Sequence, residues 1–108
     1  MSIRFFGVLV VIGACLGFSF AGDAATGKVL YDKKCRICHG EMGEGNPDVA
    51  QKLKADQKPL YADEVQKKTD ADFKKIIAEG TGKMKPPKNV SDADMDNIIA
   101  FVRTLKKP

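Results

Sequence analysis

Residues 35–40 read CRICHG, and the meaning of this stretch decides the fold. Cys35 and Cys38 are separated by two residues, and His39 follows the second directly. The chain holds 3 cysteines and 1 histidine, so one turn gathers nearly all its soft ligands. A thioredoxin-like redox pair requires a βαβ setting, and the surrounding sequence offers no strand pattern. Structural zinc pairs one such motif with a second, and no further cysteine or histidine follows. A disulfide between Cys35 and Cys38 is the plainest alternative.

Covalent haem attachment is the reading that uses every residue of the motif. Each thiol adds across one vinyl group of the porphyrin, and the two-residue gap spans the separation of the vinyls. His39 then faces the iron as the proximal ligand.

Upstream, the chain opens MSIRFFGVLVVIGACLGFSFA, with a single early charge at Arg4 and no acid before Asp23. A basic head, an apolar middle and small residues at Ser19 and Ala21 predict a secretory signal peptide over residues 1–21, cut after Ala21. The apolar run from Phe5 to Phe20 is short against the roughly 20 residues of a membrane span. Two alternatives stand beside this reading: a retained membrane anchor, and a lipoprotein cut before Cys15 within IGAC. The domain is placed at residues 22–108. Without Arg4 it carries 17 basic and 14 acidic side chains. That balance is too mild and too interspersed for nucleic acid, and it favours an acidic protein partner. A domain this small needs a staple, a metal or a cofactor to supplement its core. Export strengthens the haem reading, because exported thiols oxidise unless another bond consumes them.

Around the motif, helical signals dominate. DAATGKVLYDKKC predicts a helix capped by Asp23, with Gly27, Leu30 and Tyr31 on one face. HGEMGEGNPD reads as a loop. VAQKLKAD and YADEVQKK read as short helical pieces. TDADFKKIIAEG is capped by Thr69 with Asp72 three residues on, buries Phe73, Ile76 and Ile77, and stops at Gly80. TGKMKPPKN cannot be regular structure, because Pro86 and Pro87 are adjacent. SDADMDNIIAFVRTLKK starts at Ser91, buries Ile98, Phe101, Val102 and Leu105, and closes with Arg103, Lys106 and Lys107 toward the helix dipole. The fold class is all-α, with about four helices packed around one haem.

These segments, in this order over residues 23–108, resemble a small class I bacterial c-type cytochrome. The resemblance implies a cytochrome c-like fold whose first and last helices cross through Gly27, Tyr31 and Phe101. It implies one covalently bound haem c, with a methionine from the GTGKMKPP loop as second axial ligand. Met84 is the candidate, although Lys85 stands where the family places proline. Met42 lies too close to His39, and Met95 falls on the last helix as a packing residue. Pro47 matches the proline whose carbonyl often holds the other nitrogen of the histidine. The implied cofactor-binding set is Cys35, Cys38, His39 and Met84.

With both axial positions filled, the implied activity is one-electron transport in a periplasmic respiratory chain rather than catalysis, by a monomer. The partners are redox proteins, docked by Lys83, Lys85 and Lys88 together with Lys33, Lys34 and Arg36. Membrane contact arises only through a retained signal or a lipidated Cys15. The alternative is a five-coordinate haem protein that binds a small gas or acts as a peroxidase-like enzyme. Val49, Leu53, Leu60, Phe73, Ile76 and Ile77 are the expected haem wall or adjacent core.

Overall fold

The structure is a computed structural model that describes residues 22–108. The signal peptide reading, with its anchor and Cys15 alternatives, lies outside the described residues. No helix among the described residues is long and apolar enough to cross a membrane.

The chain forms α1 (Ala24–Lys34), α2 (Arg36–His39), α3 (Pro47–Leu53), α4 (Asp63–Gln66), α5 (Asp70–Glu79) and α6 (Asp92–Val102). Five of these fall on expected helical pieces, α4 only as a single turn, and α2, also a single turn, is the addition. The four longer helices each start on a local cap. The Asp23 side chain accepts from the Thr26 backbone N–H and begins α1. Thr69 with Asp72 and Ser91 with Asp94 form complete capping boxes, in which each partner satisfies an otherwise orphaned donor of the other. Asn46 caps α3 by accepting from Asp48 and Val49, and Pro47 occupies the position where a missing N–H costs nothing.

The core is the crossing of α1 and α6, with α5 packed against α6. Tyr31 is fully buried, and Ile98 and Ile99 are nearly so. The Tyr31 and Phe101 rings meet at 5.0 Å between centroids with planes tilted by 55°, a geometry that aromatic quadrupoles favour. Gly27 permits the approach. A Cβ there would run into the Asn97 carbonyl, so any side chain would push the helices apart. Met95 is buried on the same face, as a packing residue.

The end of α6 departs from the sequence reading. The helix stops at Val102 with Arg103 as its C-cap, and its last turn carries no basic residue. Lys106 and Lys107 are exposed beyond it. Arg103 instead turns its guanidinium to the α4–α5 connection. It donates to the carbonyls of Gln66 at 2.7 Å and Lys68 at 2.6 Å, and to Asp70 Oδ1 at 2.8 Å. Its Cζ lies 4.6 Å from the Phe73 ring centroid. A planar fork with five donors can make all these contacts at once, which a lysine cannot. Gln66 completes the junction, donating to Leu60 O at 2.8 Å and Val102 O at 3.2 Å.

Candidate haem site

The site begins where α1 ends. Cys35 is both the C-cap of α1 and the N-cap of α2, and its N–H donates to Tyr31 O at 2.8 Å. The helix therefore delivers the first thiol directly into the next turn, which carries Cys38 and His39. Both cysteines are free thiols and half-buried, so the disulfide alternative is not the one adopted. Burial, and next the neighbouring Cys38, push the Cys35 thiol up to about 11. It is held neutral at physiological pH.

His39 is held neutral as well, because burial lowers the basicity of its imidazole. Its Nδ1 is buried without a hydrogen-bond partner. Pro47, matched by resemblance to the proline whose carbonyl accepts from this nitrogen, does not serve it. Pro47 opens α3, and its carbonyl heads that helix's own ladder. A neutral imidazole beside two unoxidised thiols is the donor set that haem attachment requires, and these residues fit the group.

Met84 arrives from a separate segment. Gly80 caps α5 at φ +79°, a conformation that L side chains rarely adopt. The chain then pinches into a tight turn. Thr81 N donates to Met84 O at 3.0 Å, and Met84 N donates to Thr81 O at 2.8 Å. Both backbone polar groups of Met84 are thus fixed by one residue, and its side chain is half-buried. The sequence reading treated this stretch as irregular, whereas it contains a closed backbone pair ahead of Pro86 and Pro87. Lys34 joins the two segments, as its Nζ donates to Lys88 O at 2.9 Å.

The expected apolar wall is only partly assembled by protein contacts. Phe73 and Ile77 are buried, and Leu60 packs against the core. Ile76 and Val49 are half-buried. Leu53 is exposed at 43%, because α3 makes no substantial packing with another helix. The cationic residues are also less uniform than the sequence implied. Lys33, Lys83, Lys85 and Lys88 are exposed. Arg36 faces Glu41 at 3.5 Å and Asp32 at 4.0 Å, and Lys34 is committed to the Lys88 carbonyl.

Sequence reasoning missed two residues beside the motif. Gln57 Nε2 donates to Cys38 O at 2.8 Å, and Asn46 Nδ2 donates to Ile37 O at 2.9 Å. No periodicity marks either one. Asn46 alone had a local signal, as a cap residue before proline.

Comparison with known proteins agrees with this geometry. Residues 22–102 match the family described as cytochrome C oxidase, cbb3-type, subunit III. The chain is 35% identical over 92 residues to cytochrome c-554(547) of Halothiobacillus neapolitanus, spanning 80% of this chain and 100% of that protein. It is 33% identical over 101 residues to cytochrome c-555 of Chlorobaculum tepidum, spanning 85% and 88% of the two. A solved structure, the KustC0563 c-type cytochrome, aligns with a TM-score of 0.62 at 31% identity, covering 75% of this chain and 98% of that one. The chain belongs to this family of small monohaem c-type cytochromes. It has their all-α fold, carries covalently bound haem c, and transfers electrons to redox partners.

Proposed function

We propose that residues 22–108 form a periplasmic one-electron carrier without enzymatic activity, exported by residues 1–21. Cys35 and Cys38 would hold the haem through thioethers, and His39 and Met84 would supply the two protein ligands to its iron. The observation that carries this reading is the joining of the two ligand-bearing segments by Lys34 Nζ and Lys88 O at 2.9 Å. When bound, the haem supplies an iron that alternates between two oxidation states.

The chain's own residues do the rest. His39 offers a neutral imidazole without needing to lose a proton. Met84 offers a thioether on a turn locked by Thr81 and stiffened by Pro86 and Pro87, which holds a weak ligand in place through both oxidation states. Phe73, Ile77 and Leu60 keep water from the interior side. Lys33, Lys83, Lys85 and Lys88 steer an acidic redox protein to this end of the molecule, and salt weakens that steering. The relatives matched over nearly their whole length bear the names of small cytochromes c, which supports an electron carrier; its being a monomer in a respiratory chain is part of the proposal.

Absorbance and mass test this directly. The oxidised protein shows a weak band near the red edge from sulfur ligation, and Met84→Ala abolishes it. The mass of the exported protein shows one haem and a cut after Ala21. A wild-type protein without that band supports the five-coordinate alternative and removes Met84 from the site. Electron-transfer rates that ignore ionic strength remove the lysine docking surface.

A further inference from the structure

The four carbonyls from Ile37 to Gly40 are all taken by donors from outside the turn that contains them. Asn46 Nδ2 donates to Ile37 O at 2.9 Å, and Gln57 Nε2 donates to Cys38 O at 2.8 Å. Gly45 N donates to His39 O at 2.7 Å, and Tyr31 Oη donates to Gly40 O at 2.6 Å. The last carbonyls of any helix lack partners within it, and a helix of one turn has little stability of its own. α2 therefore keeps its shape through these donors. Gln57 is also tied to Asn46, since the Asn46 backbone N–H donates to Gln57 Oε1 at 3.0 Å.

We infer that Asn46 and Gln57 are positioning residues for the haem-bearing turn. Their amides fix the peptide planes at Ile37 and Cys38, and so preset the spacing of the two thiols and the plane of the His39 ring. The inference rests on the reading of Cys35, Cys38 and His39 as that turn. In attachment each cysteine S–H adds across a vinyl C=C. A C–S bond forms, the hydrogen goes to the neighbouring carbon, and no oxidant or reductant is consumed. Both sulfurs must reach their carbons in one geometry, which a loosened turn would leave to chance.

The test compares the exported holoprotein with Asn46→Ser, Gln57→Met and the double variant. Serine keeps the α3 cap but cannot reach Ile37 O, and methionine keeps the length of Gln57 without its polar atoms. Gln66→Met is the control, because it removes two side-chain hydrogen bonds at the α4 junction and none at the turn. The double variant is expected to lose haem-bearing protein by about tenfold, the low end of what outer partners of metal ligands carry. The fraction that does carry haem shows shifted g values in the ferric electron paramagnetic resonance spectrum and a shifted reduction potential. Gln66→Met lowers thermal stability while keeping wild-type g values and potential. If the double variant does not accumulate, the single variants show the same shifts in part.

Wild-type attachment, g values and potential in the Asn46 and Gln57 variants would overturn the inference. Equal shifts in Gln66→Met would overturn it too, since the effect would then be general loosening. A wild-type protein without haem would instead defeat the reading of the turn itself.

Discussion

The α1–α6 crossing and the turn that bears Cys35, Cys38 and His39 are close neighbours built on opposite terms. At the crossing, protein packs on protein. Tyr31, Ile98 and Ile99 are buried, and Gly27 lets the backbones approach until no Cβ would fit. At the turn, little apolar surface meets other protein. Ile37 is 72% exposed, the cysteines are half-buried, and a buried imidazole nitrogen has no protein partner. The hydrophobic effect mainly closes the first region, with one hydrogen bond across it from Asp23 N to Asn97 Oδ1 at 2.8 Å. Hydrogen bonds to carbonyls shape the second, whose side chains remain available to a group outside the polypeptide. Stability and function are thus housed in different places, with Tyr31 touching both.

That separation can be broken by mutation. Ile98→Ala carries the largest expected effect, a loss of about 3–4 kcal/mol of unfolding free energy, read by denaturant titration of the holoprotein. Its visible spectrum should not change; a changed spectrum would show that the two regions are mechanically one. Gly27→Ala should cost about 2–3 kcal/mol by overpacking, again with wild-type absorbance. A neutral outcome there would mean that α6 can slide away from Asn97.

Tyr31→Phe sharpens the comparison because its ring belongs to the crossing and its hydroxyl to the turn. Losing the bond to Gly40 O should cost about 1–2 kcal/mol. Burial first, and then the Glu44 carboxylate, raise this phenol well above its ordinary range. The stability it carries is therefore whole below about pH 10 and lost as pH climbs toward the folded value. The variant should show a flatter alkaline limb in its unfolding profile, and an unchanged limb would assign that pH dependence elsewhere.

The smallest effect concerns the caps. The Thr69 backbone and then its side chain hold the Asp72 carboxyl below 3.8, and the Thr26 side chain and then its backbone do the same for Asp23. Lowered values mean that this stability is present above about pH 4 and is lost as pH falls through them. Thr69→Ala should cost about 1 kcal/mol at neutral pH and reduce the acid sensitivity. An acid limb identical to wild type would free the Thr69 cap of any part in it.

Local chemistry made much of this legible in advance. The capping boxes at Thr69 and Ser91 follow from residues three apart, and the stops at Gly80 and before Pro86 follow from backbone sterics. The crossing through Gly27, Tyr31 and Phe101 came from resemblance. Leu53 lies outside the protein core, because a short helical pattern does not reveal that α3 lacks a helix partner, and its exposure is what a residue facing the haem would show before the haem is bound. Arg103 was misread for a related reason. Its neighbours in sequence suggested a helix dipole, whereas its guanidinium serves carbonyls more than thirty residues away.

The sequence by itself determined the helices, their caps and the clustering of two thiols and an imidazole, since each depends on residues within about one helical turn of one another. Only the tertiary structure decided that Lys34 reaches the carbonyl of Lys88, that Gln57 reaches the carbonyl of Cys38, and that Pro47 leaves His39 Nδ1 alone. A backbone carbonyl is the same at every position in a sequence. Which distant donor finds it depends on where folding carries the two segments, and no spacing rule records that.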